Sequence, residues 1–221
     1  MCGRFVIATP LMSIFEYFEI QDPRVVDTGP RFNVAPSTPI YIVRDDGETR
    51  SMDYANWGFT PSWAKALDDG PRPINARSET VGSSRLFRKA YEQRRCLIPA
   101  DGFYEWQARE GKRKQPHFIH RTDGKMLALG GIWEVWHEGD ENELTSTAII
   151  TTPANDRVSE LHNRMPLVIE QENWDAWLMG EDPDGLLKPA QDDTLTWHPV
   201  TASVGNVRND NPDLIEPIGE D

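Results

Sequence analysis

The chain opens Met1-Cys2-Gly3-Arg4-Phe5, and Cys2 has the most chemistry to offer. Aminopeptidases remove an initiator Met that precedes a small side chain. The expected mature terminus therefore carries an α-amine and a thiol on adjacent carbons. Such a 1,2-aminothiol reacts twice with an aldehyde. The amine condenses to an imine, and the thiol then closes on the same carbon to give a five-membered thiazolidine. Reference pKa values of about 8 for the amine and about 8.5 for the thiol leave each a reactive fraction near neutrality. Taken alone, residue 2 also reads as an incidental cysteine at a frayed end.

Three further segments carry candidate groups. Glu105 lies among aromatics in Gly102-Phe103-Tyr104-Glu105-Trp106. A carboxyl group desolvated there is a general acid for neutral pH, whereas strand alternation would instead point it to solvent. His162 and Arg164 stand two apart in Leu161-His162-Asn163-Arg164-Met165-Pro166, a helix-to-strand junction. His162 can move a proton and Arg164 can hold a phosphate, or the two are a cap and a surface charge. Asn75 and Arg77 sit at the same spacing in Asn75-Ala76-Arg77-Ser78-Glu79, ahead of an expected helix start at Ser78. Helix N-termini and guanidinium groups both bind phosphate. In Trp57-Gly58-Phe59-Thr60-Pro61-Ser62-Trp63 we assign Trp57 to the core and Trp63 to a loop, where an exposed ring can stack on a base. His117 and His120 on one strand would point to opposite faces, so that pair is not a zinc site. Cys96 reads as a buried small hydrophobe, and no P-loop, GxGxxG, GxSxG or CxxC motif is present.

Elements must position these groups. Leu11, Ile14, Phe15 and Phe18 recur at helical spacing, which predicts a helix over 10–20 with Thr9 as cap. Residues 22–39 are rich in turn formers and read as a long loop. Residues 39–44 and 49–57 flank Asp45-Asp46-Gly47 and predict a hairpin. Strands are expected at 97–99 and 102–107, joined by a turn at Asp101-Gly102. A strand pair is expected at 117–121 and 126–136, and 143–151 continues the sheet. Further elements are a short helix in 153–162, a strand at 165–169, an amphipathic helix at 171–179 and a late strand at 195–203. Strands dominate without regular alternation with helices, which predicts an α+β fold with a largely antiparallel, curved sheet. Repeats and linkers are absent, so residues 1–221 read as one domain, with an acidic C-terminal tail from about 205.

No apolar run approaches membrane-span length, and the start lacks a secretory pattern. With two cysteines and no disulfide framework, a reducing cytoplasm is the expected compartment. The net charge is -13, yet residues 72–95 carry seven positive against two negative side chains, a local +5. One basic segment on an acidic body suits a protein with a single phosphate-facing surface, and equally a solvated helix face. The positive residues are 17 Arg and 6 Lys, and this Lys-poor acidic composition points to a high-salt organism.

Taken in order along the chain, these segments resemble the SRAP proteins (SOS response-associated peptidase, or abasic-site processing proteins). The resemblance rests on Cys2-Gly3-Arg4-Phe5, Phe32-Asn33-Val34-Ala35-Pro36, Trp57-Gly58 with Pro61-Ser62-Trp63, Asn75 through Thr80, Arg95 through Trp106, Gly130-Gly131-Ile132-Trp133-Glu134, Thr151 through Asn155, and His162 through Pro166. It implies a single α+β domain whose bifurcated, largely antiparallel β-sheet folds into a pseudo-barrel with flanking helices. It implies covalent capture of abasic sites in single-stranded DNA, by a monomer needing no metal or cofactor and no membrane, in the cytoplasm and at the nucleoid once crosslinked. Carried onto matching positions, Cys2 is the nucleophile, with Asn75, Glu105 and His162 around it. Arg77 and Arg164 hold phosphates, helped by Arg4, and Trp63 stacks near the lesion. Arg85 belongs to the DNA-facing basic segment. Ser78 stands where the family pattern has Ala. An abasic-site lyase activity is compatible with the same imine. The alternatives are an N-terminal-nucleophile thiol peptidase, in which Cys2 is exposed by autocleavage, and a non-covalent DNA-binding module.

Overall fold

The computed structural model describes residues 2–67, 70–111 and 113–219. In chain order the first strands are β1 (Phe5–Ile7), β2 (Asp22–Pro23), β3 (Arg31–Val34), β4 (Pro39–Asp45), β5 (Arg50–Trp57), β6 (Asn75–Arg77) and β7 (Arg95–Ala100). They are followed by β8 (Gly102–Gln107), β9 (Gln115–Arg121), β10 (Leu127–Trp136), β11 (Leu144–Pro153), β12 (Arg164–Pro166) and β13 (Leu195–Pro199). The α-helices are α1 (Leu11–Tyr17), α2 (Arg88–Gln93), α3 (Asp156–Ser159) and α4 (Trp174–Met179).

The predicted hairpin forms as β4 and β5, in register from Pro39↔Asn56 to Asp45↔Arg50. Its turn follows from the aspartates: Asp45 accepts the Gly47 N–H at 2.9 Å, Asp46 accepts those of Glu48 and Thr49, and Gly47 takes a φ of +89°. Five strands then close on themselves. β11 pairs with β10, β10 with β7, β7 with β4 and β4 with β5, all antiparallel. The ring is completed by a short parallel pairing of β5 with β11, Ser146↔Asn56 and Thr147↔Trp57. The expected pseudo-barrel is thus a closed mixed barrel. Its interior is full: a Cβ on Gly131 would lie 2.8 Å from Ile98 Cδ1 and 3.1 Å from Cys96 Sγ. Beyond the seam β6 continues along β11, parallel, with Ile149↔Asn75 and Thr151↔Arg77.

The second sheet runs β13-β9-β8-β1-β3. One sequence expectation changes here: β9 and β10 do not pair. β7 and β8 meet at the expected turn at Asp101, and both junctions carry the chain from one sheet to the other. At the first junction Asp101 turns back to accept the backbone N–H of Thr9 at 3.0 Å and the Thr9 hydroxyl. Thr9 therefore braces the corner instead of capping α1, and Pro10 is the cap residue.

Smaller departures have local causes. The 22–39 loop contains β2 and β3, because its backbone pairs with β5 and β1. Residues 78–83 form turns and no helix starts at Ser78. The late strand ends at Pro199, and residues 202–205 form a 3-10 turn. Asn155 caps α3 by accepting the Val158 N–H at 2.8 Å. One large core fills the barrel and the gap to the second sheet; a smaller one, with Val6, Tyr104 and Phe118, lies on that sheet's other face. The segment after Gly205 packs there: Leu214 is buried, and its carbonyl accepts from the Tyr104 hydroxyl. The tail residues Glu220 and Asp221 lie outside the described residues.

Candidate functional site

Residues 2–4 continue the line of β1 alongside β8. Phe5 pairs with Phe103, and Tyr104 N–H donates to Arg4 O at 3.0 Å. Continuing that antiparallel register brings Gly3 opposite Glu105. The anchor of the segment is Phe5, whose ring meets Trp57 edge-on at 5.1 Å, while Trp57 Nε1 donates to Ile74 O. Such an aromatic pair contributes about 0.5–1.5 kcal/mol beyond the area it buries. Trp57 is wholly buried, as expected of it.

Cys2 ends up inside the large core, with no exposed surface. Asn75, on β6, donates its Nδ2–H to Cys2 O at 2.9 Å. The Asn75 Oδ1 is buried and has no hydrogen-bond partner among the described residues. Burial pushes the Cys2 thiol far above its usual range; the Glu105 carboxylate adds to the rise, and a hydrogen bond from the Arg4 backbone opposes it. Glu105 is itself buried, at 3% exposure, which decides against the solvent-pointing reading of its strand position. A neutral thiol, a buried carboxyl group and an unsatisfied amide oxygen thus meet at the chain's start. Met1, whose removal the aminothiol chemistry requires, lies outside the described residues.

The end of β11 gathers a second group. β6 lies on one side of Thr151 and β12 on the other. Arg164 donates through Nη2 to Thr151 O at 2.6 Å and to Glu79 Oε2 at 2.9 Å, and through Nη1 to Glu79 Oε1. This two-pronged ion pair holds the Glu79 carboxyl at about 2, the Arg164 hydrogen bond being the main cause. Arg77, across Thr151, is exposed and its guanidinium has no partner among the described residues. His162 is half-buried after α3. Its Nδ1 lies 3.0 Å from the Arg164 backbone nitrogen and 3.3 Å from the Arg164 carbonyl oxygen.

The remaining expected DNA contacts are spread out. Trp63 is 63% exposed on a loop that is firmly tied down. Ser62 donates to the buried Glu134 at 3.2 Å, and Trp136 Nε1 donates to Ala64 O at 2.7 Å. Arg85 is exposed in the turn before α2. Arg4 points inward: Nη1 donates to Asn33 Oδ1 at 2.8 Å and to Val204 O at 3.0 Å. Asn33, 5% exposed, in turn donates to the carbonyls of Val204, Asn206 and Asn209. In the sequence Asn33 stands out only as a polar residue between Phe32 and Val34.

The basic stripe of residues 72–95 is only partly a surface. Arg95 is buried and donates to Trp177 O, Tyr91 O and Gly180 O, closing the end of α4. Arg94 pairs with Glu134 at 3.1 Å. His117 and His120 face opposite sides of β9, as alternation required: His117 is buried opposite Glu105, and His120 stacks on Phe118. Among the described residues no three His, Cys, Asp or Glu side chains cluster as a metal site. No helix among them is long and apolar enough to cross a membrane.

Comparison with known proteins identifies the family to which this fold belongs. The family described as SOS response associated peptidase (SRAP) matches residues 1–207, and the chain belongs to that family. It is 37% identical over 224 residues to the abasic site processing protein YoqW of Bacillus subtilis (strain 168), covering 98% of this chain and 99% of that protein. The abasic site processing protein YedK of Escherichia coli (strain K12) is 34% identical over 231 residues, with 99% and 100% covered. HMCES of Gallus gallus, also named an abasic site processing protein, is 34% identical over 86% of this chain and 66% of its own length. A crystal structure of a Bacteroides thetaiotaomicron protein shares the fold, with a TM-score of 0.89 over 98% of this chain at 22% identity.

Proposed function

We propose that this protein processes abasic sites by bonding covalently to them in single-stranded DNA through Cys2, after loss of Met1. The observation that carries the reading is the placement of Cys2: a buried residue 2, gripped at its carbonyl by Asn75 and lying in the field of Glu105. The names of the relatives in Bacillus subtilis and Escherichia coli support the choice of lesion.

The chemistry is a condensation without redox change. The α-amine adds to the aldehyde carbon of the opened abasic sugar, giving a carbinolamine. Glu105 donates a proton to its hydroxyl, one water leaves, and the Glu105 carboxylate so formed takes the proton from nitrogen, leaving an imine. The thiol then adds across the C=N bond: sulfur goes to carbon, and its proton reaches nitrogen. The amine acts first because the thiol is held protonated. Ring closure consumes the imine that would otherwise permit β-elimination of the strand. Asn75 fixes the attacking residue, with its free Oδ1 available to the amine N–H. His162 moves a proton at the sugar oxygen. Arg77 and Arg164 hold the flanking phosphates, Arg4 steadies the attacking strand from behind, and Trp63 and Arg85 meet neighbouring nucleotides. The protein acts as a monomeric single domain in the cytoplasm.

The test uses single-stranded DNA carrying one uracil, treated with uracil glycosylase, mixed with the protein and resolved on a denaturing gel. Wild type is expected to give one shifted band and Cys2→Ala none. A Cys2→Ala protein that still forms a heat-stable adduct overturns the proposal.

A further inference from the structure

On the face of the second sheet turned away from Cys2 lies a cavity of about 530 Å³ lined by Phe118, His120, His198, Asp101, Lys125 and Glu216. Nothing in the crosslinking chemistry uses it. His120 on β9 and His198 on β13 are diagonal neighbours across the strand pair, since His120 opposes Thr196 and His198 opposes Phe118. Their ring centres are 5.6 Å apart, tilted by 58°. Phe118 packs on both rings.

Each imidazole has one nitrogen already committed. His120 Nδ1 lies 3.0 Å from Arg121 O, and His198 Nε2 lies 2.7 Å from Ile215 O. A carbonyl oxygen only accepts, so both of these nitrogens carry the proton. His120 Nε2 and His198 Nδ1 are then left as lone-pair donors, and neither has a partner among the described residues. A ring N–H tied to a backbone carbonyl is the usual outer contact of a metal-binding histidine, because it fixes the tautomer and orients the ring.

We propose that His120 and His198 form a two-imidazole site for a borderline divalent transition-metal ion such as Zn²⁺ or Cu²⁺. The spacing suits a shared ion. With metal–nitrogen bonds of about 2.1 Å, an ion held by both free nitrogens would lie roughly 3.2 Å from each ring centre, a span that ring centres 5.6 Å apart allow. Imidazole nitrogen favours these ions over Mg²⁺ or Ca²⁺. The cavity has room for the waters that complete the coordination. A bound ion would tie β9 to β13 and, through the His198–Ile215 bond, to the C-terminal segment. This inference does not depend on the crosslinking chemistry.

The experiment is calorimetric titration of Zn²⁺ into the Cys2→Ala protein, because an N-terminal aminothiol is itself a chelator. One ion per chain is expected, with a raised melting temperature, and His120→Gln or His198→Gln should each weaken binding at least tenfold. The His120→Gln arm stands even if His198→Gln proves unstable, since the ring hydrogen bond that His120 loses runs only to the carbonyl of the next residue, Arg121. Cu²⁺ should show electron-resonance splitting from two nitrogens. In the chain with native Cys2, His120→Gln should crosslink at the wild-type rate. Absence of binding at sub-millimolar zinc, binding unaffected by both substitutions, or coupling to fewer than two nitrogens overturns the proposal.

Discussion

At the residue scale, the site depends on which polar atoms have partners. Asn75→Ala removes the side-chain donor to Cys2 O and leaves that buried carbonyl without it. Losing such a bond costs about 1–3 kcal/mol, so the melting temperature should fall by several degrees, and single-turnover crosslinking measured well below it should slow by about 10- to 100-fold. Arg164 is occupied by Glu79 before any phosphate arrives. Glu79→Gln should therefore raise affinity for single-stranded DNA several-fold in a fluorescence anisotropy titration at fixed salt, and Arg164→Ala should lower it. The same pair sets a pH signature. Glu79's carboxyl is depressed from 4.5 to about 2, so its stabilising effect is complete above its unfolded value and fades as pH falls from about 4.5 toward 2. Because Glu79 is half exposed, that effect is small, and it is best read by carboxyl NMR. Arg164→Ala should return the titration midpoint to near 4.5. The sequence made Cys2, Asn75, Glu105 and Arg164 legible as chemical types, but not that Arg164 already held a carboxylate or that Arg4 faced inward. Both depend on partners far away in the chain.

At the element scale, the corner between β7 and β8 is where the barrel hands the chain to the sheet that carries Glu105. Gly102 occupies it because a Cβ there would fall 2.5 Å from Ile119 O and from the Phe118 ring. Gly102→Ala should destabilise the protein by about 1–3 kcal/mol in urea unfolding, as overpacked positions do, and should slow crosslinking by moving Glu105. Individual strands and helices were legible because alternation and helical spacing are local. Partners were not: nothing in residues 117–136 shows that β9 and β10 belong to different sheets. The stripe of arginines at 72–95 failed as a surface for a similar reason. It runs from turns through α2 into β7, whose all-buried pattern takes Arg95 inside.

At the scale of the whole molecule, a net charge of -13 opposes both compactness and DNA binding. Raising KCl from millimolar to molar should increase the melting temperature while reversible DNA binding weakens steeply. The covalent adduct, once made, should survive the same salt on a denaturing gel. A melting temperature indifferent to KCl would remove the high-salt reading of the composition. The α+β class and the curved antiparallel character followed from strand density, and the pseudo-barrel from the family resemblance. Closure itself was hidden, because it rests on two parallel residue pairs joining Asn56 and Trp57 to Ser146 and Thr147, some ninety positions later.

That seam also has kinetic meaning. Joining segments so distant costs more chain entropy than any hairpin here, so the barrel should shut late during folding. β6 hangs on the same strand just past the join, and it carries Asn75 and Arg77. A newly made chain would therefore hold its reactive terminus in an unfinished cradle until the last stave locks. Competence to trap a lesion would then appear only in the completed molecule.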